Sequence, residues 1–580
     1  MTRVSWKNPT TGERAQFVAD ILNESLFDYS FDSNRVPSLS LNYFCYDYIQ
    51  TYSLVEDGIM DKGNMIPLIE EFEYILKNSV WLPCGISSAM LNFKNKNGIF
   101  MDVSQDKSLN PLARSKYYLE NAKCIRGLLT ANKNYYLLLL EEIEHLLRSK
   151  TYDFEDKKKL YFCIRELLSE LINRGVNKTY LYRQVQEKLF SDVNSNDDIN
   201  YILSFLKSLD LRVSEYKTIF GVTDEVYSEL KDVLKVLREA TEEETTNLST
   251  KYVVDNKIQA PDSVSALRLS KSFFSSILSV YNACKHDKNI KVIPKGMVRK
   301  MSEKQFQVIN ELKEPLGKNQ NNKNFQERKR WLYAAIKGPI SGSLFSAFEL
   351  HNTALEIEDS QTQLLNIWTI FELLIDSKQE SMSRINYISN ILCSILCNYY
   401  YKRRLESLFE QISKIDAVIK IVDQEQRGKD SVQNFGIILK DNVDLQQKIK
   451  SLLNDCPLAT YKMEELSLLF TSKEALKDDL KRHSDRLRWQ IMRIYRNRCM
   501  IVHNGQSFSQ LDSVLENEHY YVDELFDYIL GKRDKGIVDT EAIFALSRIK
   551  EKEHLQLLSD KTNKNSSFSD EDFLSVIFDY

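Results

Sequence analysis

The sequence predicts a mainly α protein in three parts: a helical N-terminal region, a small α/β module and a C-terminal helical bundle. Glycine (17) and proline (10) are scarce in 580 residues, which favours long helices and few tight turns. Most apolar patterns repeat at three and four residues, the helical period, and the alternation that marks strands is confined to the middle of the chain. With 43% hydrophobic residues the chain can bury sizeable cores, and its length calls for two to four domains.

Residues 1–155 read as helical, through stretches such as MIPLIEEFEYILKNSVWL and the segment ending YYLLLLEEIEHLLRSK. Between them Asn97-Gly98, flanked by Phe93, Ile99, Phe100 and Val103, has the composition of a small hairpin. The many Tyr and Phe here could stack bases, but their helical spacing favours core positions.

Residues 156–335 mix helix and strand. Two helices separated by Gly175 come first, followed by strand-like LRVSEYKTIFGV and STKYVVDN, a helix capped by Ser263 or Asp262, and a strand carrying Pro294-Lys295-Gly296. The polar, Asn-rich stretch 313–331 reads as a linker.

The bundle is expected over 341–546, with helices near 345–376, 382–424, 440–454, 461–503 and 518–531. Residues 547–580 read as a flexible tail, ending in FLSVIFDY, apolar enough to dock.

A formal charge of -4 leaves no global footprint for nucleic acid, so any such affinity must be local. The nine cysteines lack paired metal-ligand spacing; Cys393-x3-Cys397 lies on an apolar segment and reads as core, and no metal or other cofactor is expected. Scattered free thiols, an N-terminus without an apolar core and the lack of an 18-residue apolar run point to a cytoplasmic chain without a membrane partner. No phosphate-binding loop, nucleophile elbow or His-Glu-x-x-His motif occurs, which argues against a nucleotide-driven motor or a metallohydrolase.

The densest basic stretch is Lys481–Arg498, with eight Lys, Arg or His against one acid, Asp485. It looks helical and ends at Asn504-Gly505, a helix-stop signal. At about 100° per residue, Leu487, Ile491, Ile494, Tyr495 and Val502 share a side that should face the core, and Arg498 falls among them, where a carboxylate should meet it. Arg496 and His503 form a column on another side. An imidazole and guanidinium so placed suit RNA transesterification: histidine moves the proton of the ribose 2′-hydroxyl, and arginine stabilises the charged phosphorane. The helix dipole at His503 favours its protonated form. Spacing alone is equally that of a solvated helix end, and Arg548 and His554 form a comparable pair that reads as an exposed face because Lys and Glu surround it.

Tyr495-Arg496-x-Arg498-x-x-Ile501-Val502-His503-x-Gly505 resembles the signature of the HEPN superfamily, particularly its Apea-like branch. The segments 348–355 and 363–374, with Trp368 and Glu372 four residues apart, resemble that family's first bundle helices. The resemblance covers residues 341–546 and implies a HEPN-like bundle that dimerises, places two Arg-x4-6-His motifs in one cleft and cuts RNA without metal, often as an antiphage (abortive infection) or toxin effector. It assigns catalysis to His503 and Arg498, with Arg496 and Asn497 as the alternative Arg-polar pair, because Cys499 stands where the family usually has a polar residue. Glu372 is the expected carboxylate for Arg498, Cys499 and Asn504 flank the motif, and Arg486, Arg488 and Arg493 are candidate RNA contacts. The implied partners are RNA, a second copy of the chain and a phage or regulatory trigger protein. A non-catalytic RNA- or protein-binding scaffold and an inactive HEPN subunit are the alternatives.

Overall fold

The computed structural model describes residues 12–27, 35–77, 111–131, 135–190, 198–285, 292–310, 342–357, 359–376, 382–505, 511–559 and 568–578. The expected hairpin at Asn97-Gly98 and the linker 313–331 lie outside them. The fold is mainly α with one small antiparallel sheet, as the sequence predicts.

The N-terminal core is built from α1 (Glu13–Leu26), α2 (Leu41–Glu56), α3 (Met65–Lys77), α4 (Pro111–Ala131), α5 (Tyr135–Arg148), α6 (Phe154–Asn173), α7 (Lys178–Leu189) and α8 (Asp198–Ser208). Its aromatic residues are core: Phe17, Phe44, Tyr48, Phe72, Tyr135 and Tyr136 are all buried. A reciprocal capping box between Asp153 and Asp156 starts α6. This core runs to Leu209, so the boundary expected at residue 155 falls too early. The apolar faces of α6 and α7 close the N-terminal bundle, and a helical period does not reveal which neighbour a face will meet.

The α/β module comprises β1 (Ser214–Val222), α9 (Asp224–Leu230), β2 (Leu237–Glu239), α10 (Glu242–Leu248), β3 (Tyr252–Ala260), α11 (Ser263–Lys285), β4 (Val292–Lys300) and β5 (Gln307–Ile309). The strand order is β2-β3-β1-β4-β5, with β1 pairing antiparallel to β3 and β4. Asp262 supplies the cap, accepting from the amides of Val264 and Ser265. Helix α11 lies so close to β4 that a Cβ on Gly296 would collide with the Leu267 side chain.

The C-terminal bundle contains α12 (Gly342–Glu356), α13 (Ser360–Leu374), α14 (Arg384–Asn398), α15 (Tyr400–Ile412), α16 (Asp416–Val422), α17 (Ser431–Asp441), α18 (Val443–Leu452), α19 (Pro457–Phe470), α20 (Lys473–Asn504), α21 (Leu511–Asp534), α22 (Thr540–Ser559) and α23 (Asp570–Phe578). Several expected long helices are broken: 345–376 into two at Asp359, whose carboxylate caps α13, and 382–424 into three, first at Tyr399. Cys393 and Cys397 pack in the core. The expected flexible tail 547–580 needs correction over its described part: 547–559 completes α22 and 570–578 forms α23, and their Leu558, Phe573, Val576 and Ile577 belong to the bundle core, as apolar spacing there requires. Residues 560–567 of that stretch lie outside the described residues. Among the described residues no helix is long and apolar enough to cross a membrane.

Candidate functional site

Helix α20 carries the basic stretch. Ser472 caps its start by accepting from the Ala475 amide, and Gly505 ends it in the left-handed region (φ 63°), its amide bonding to the Ile501 carbonyl. Its 32 residues span about 48 Å at 1.5 Å per residue, so it crosses the whole bundle and reaches the N-terminal region.

That reach decides the fate of the arginines. Arg496 is 1% exposed and donates to Asp47 of α2 at 2.9 Å. Arg493, 2% exposed, pairs with Glu71 of α3 at 2.7 Å and with Asp47 at 3.4 Å. Two guanidinium groups and two carboxylates thus balance inside a seam between N-terminal region and bundle, as buried charges must. Burial lowers the pKa of Arg496, although Asp47 works against it, whereas Glu71 and Asp47 overcome the same desolvation at Arg493 and raise its pKa. Asn497, 1% exposed, bonds back to the Arg493 carbonyl.

The expectation that Arg496 and Asn497 act on RNA, and that Arg493 contacts it, is therefore corrected: all three are sealed under α2 and α3. Arg488 is half-buried and paired with Glu70 and Asp485. Arg486 remains exposed.

Cys499 is buried against the N-terminal core beside Met500 rather than lying open next to the histidine. Burial raises its pKa, against a hydrogen bond with Tyr495 and the nearby Arg498 charge. An amide there would sit in apolar packing, which accounts physically for a thiol at this position.

Arg498 keeps partial access to solvent at 28% exposure, and its guanidinium lies 3.9 Å from Glu372 Oε1. The same oxygen accepts from Trp368 Nε1 at 2.9 Å, and the indole, buried in the core, packs against Tyr495 with ring centroids 5.4 Å apart. Arg384 donates to the Glu372 backbone carbonyl at 2.6 Å. The Trp368–Glu372 spacing of one helical turn on α13 thus sets a carboxylate where α20 presents Arg498.

His503 and Asn504 lie exposed at the end of α20, and Val502, expected on the core face, is 51% exposed, whereas the adjacent Ile501 is buried in the bundle core. Five residues place His503 about 7.5 Å beyond Arg498 along the axis and about 140° around it. Their Cα positions thus point to different sides of the helix.

The residues missed by sequence reasoning are acids: Asp47, Glu70 and Glu71, more than 400 positions from their partners. A second polar cluster inside the bundle was also missed. His519 is fully buried, its Nε2 3.3 Å from Gln363 Oε1 and its ring centroid 5.9 Å from that of His351, which lies 4.0 Å from Asp523. Burial and the His351 charge push the His519 pKa down to about 3. The adjacent Glu518 is completely buried without a hydrogen-bond partner on either carboxylate oxygen, and burial raises its pKa well above the usual range. Among the described residues no group of three or more His, Cys, Asp or Glu side chains is arranged to hold a metal ion.

Fold and site together define a mainly α protein whose bundle presents an arginine and a histidine at an accessible helix end. No family model matches the chain, and neither a curated protein nor a solved structure matches it.

Proposed function

We propose that the protein is a metal-independent endoribonuclease of HEPN type acting in antiphage defence or as a toxin. The reading is carried by one observation: the two residues to which the signature resemblance assigns chemistry, Arg498 and His503, keep solvent access, while Arg493, Arg496 and Asn497 are sequestered in the seam. Arg498 clamps the scissile phosphate, with Glu372 orienting the guanidinium. His503 transfers the proton to or from the ribose oxygen, and the substrate's own 2′-hydroxyl is the nucleophile. DNA, lacking that group, is not cut.

The angular separation of Arg498 and His503 supports a composite site made by two copies of the chain, each presenting one α20 end. The exposed Val502 beside His503 is an apolar contact suited to that pairing. The N-terminal region, locked to α20 through Asp47 and Glu71, restrains the same helix and is the natural place for a trigger to act.

Incubating the purified chain with RNA in EDTA tests the reading. Cleavage leaving 2′,3′-cyclic phosphate ends, abolished when the scissile nucleotide is 2′-deoxy, is expected. Retained RNA binding without cleavage would favour a scaffold instead.

A further inference from the structure

The sheet of the α/β module is covered unequally on its two faces. On one, Tyr216, Phe220, Val254 and Val298 cluster with Leu267, Phe274 and Leu278 of α11. On the other, α10 covers one end, where Leu248 joins Ile219, Val253 and Met297 in a small apolar group. Beyond that group Glu215, Lys257 and Gln259 are exposed, as one side of an antiparallel sheet can be. Strand register sets three cations in a single row across this open part. Lys257 of β3 stands directly opposite Lys217 of β1, which stands directly opposite Arg299 of β4. With neighbouring strands about 4.8 Å apart, the row spans about 10 Å.

Like charges directly opposite one another destabilise a strand pair, so nothing in the sheet itself favours this row. The acids of the face collect at its α10 end. Asp255, 3.0 Å from Lys217, also bonds to Arg238, which makes a two-pronged pair with Glu244, and Glu242 and Glu243 stand in the same first turn of α10. Glu215, two residues before Lys217, faces Gln259. Among the described residues Lys257 and Arg299 have no carboxylate partner. Arg299 instead lies over the half-buried Phe306 ring, 5.0 Å from its centroid, and Val308, opposite Met297, leaves an apolar edge 40% exposed beside them.

We propose that this sheet face binds a single-stranded nucleic acid. The row is longer than one phosphate and suits a run of them, and phosphates lying along it remove the repulsion among Lys257, Lys217 and Arg299. Arg299 and Phe306 together form a cationic and aromatic platform on which one base can stack. An acidic peptide would use the cations and leave that platform empty. The proposal assigns binding alone, to residues outside α20, and does not depend on the proposed ribonuclease activity.

Fluorescence anisotropy of the full chain with a labelled oligothymidylate tests this, because a DNA strand is not consumed by a 2′-hydroxyl mechanism. Saturable binding is expected, with log affinity falling against log salt at a slope of about −2 for three phosphate contacts. Lys257→Gln and Arg299→Gln should each weaken it about tenfold, the loss of one charge-assisted contact, and each make the slope shallower by about 0.7. Lys257 is exposed, so its variants should fold. Lys257→Glu should weaken binding further while raising the unfolding midpoint, because the new acid faces Lys217, a combination that general loss of structure does not produce. Phe306→Leu should weaken binding about tenfold with the slope unchanged, the loss of one stacked base. An oligoglutamate of equal charge that displaced the strand as well as unlabelled oligothymidylate does would overturn the proposal in favour of an acidic peptide. So would the absence of saturable binding at low salt, or binding indifferent to the Lys257 and Arg299 substitutions, which would place it elsewhere, such as at the exposed cations of α20.

Discussion

Arg496 of α20 donates to Asp47 of α2 at 2.9 Å, and both side chains are almost entirely buried. Through this contact and the neighbouring Arg493–Glu71 pair, the most basic helix of the chain is neutralised by the N-terminal region instead of facing a polyanion. Near the motif, what remains accessible is Arg498 in part and the exposed end Val502–Asn504; earlier in the helix Lys481, Arg482 and Arg486 are exposed.

Asp47 holds two arginines, so Asp47→Asn leaves two buried cations with Glu71 alone. The expected loss is about 3–5 kcal/mol, as for other broken buried pairs, read as a lower denaturant midpoint. Arg496→Met should cost less, because Arg493 keeps both acids. A change under about 1 kcal/mol for Asp47→Asn would mean that the seam is not closed in solution.

The bundle should lose stability in acid through His519. Its pKa falls from the ordinary 6.5 to about 3 in the folded chain, so below pH 6.5 the unfolded state binds the extra proton. This contribution is complete above 6.5 and is lost as pH falls towards 3. Replacing His519 with Gln should flatten that limb of a stability-against-pH curve. An unchanged slope would show that the ring is solvated.

Phe573 reports on the C-terminal helix. It is fully buried and meets Phe470 and Phe568 edge to face, at ring centroids 5.1 and 5.6 Å. Phe573→Ala should cost about 3–5 kcal/mol, measured by denaturant unfolding. Proteolysis that removes the last ten residues without loss of stability would restore the reading of a free tail.

Much of the architecture was legible because its signals are local. Helical period, the Gly505 stop and the alternation in 214–222 and 252–260 each depend on neighbours a few residues away. The Arg498–Glu372 contact was also anticipated, since an arginine on an apolar face requires an acid and α13 offers one beside Trp368. What escaped depends on pairing across the chain. Nothing near Arg493 or Arg496 announces acids at positions 47 and 71, and a wheel that groups Arg496 with His503 cannot show that α2 and α3 cover one and stop short of the other. The same blindness placed Val502 in the core and gave α6 and α7 to the sheet module.

The central claim is that the accessible imidazole at the end of α20 carries out RNA cleavage. Its most direct test compares the chain with its His503→Ala variant on RNA in EDTA, alongside circular dichroism and unfolding midpoints. Because the side chain is exposed, the variant should fold and melt like the parent, yet lose cleavage by at least about a hundredfold, the usual contribution of a general acid or base. Cleavage persisting at the parent rate in a folded His503→Ala protein would contradict the account.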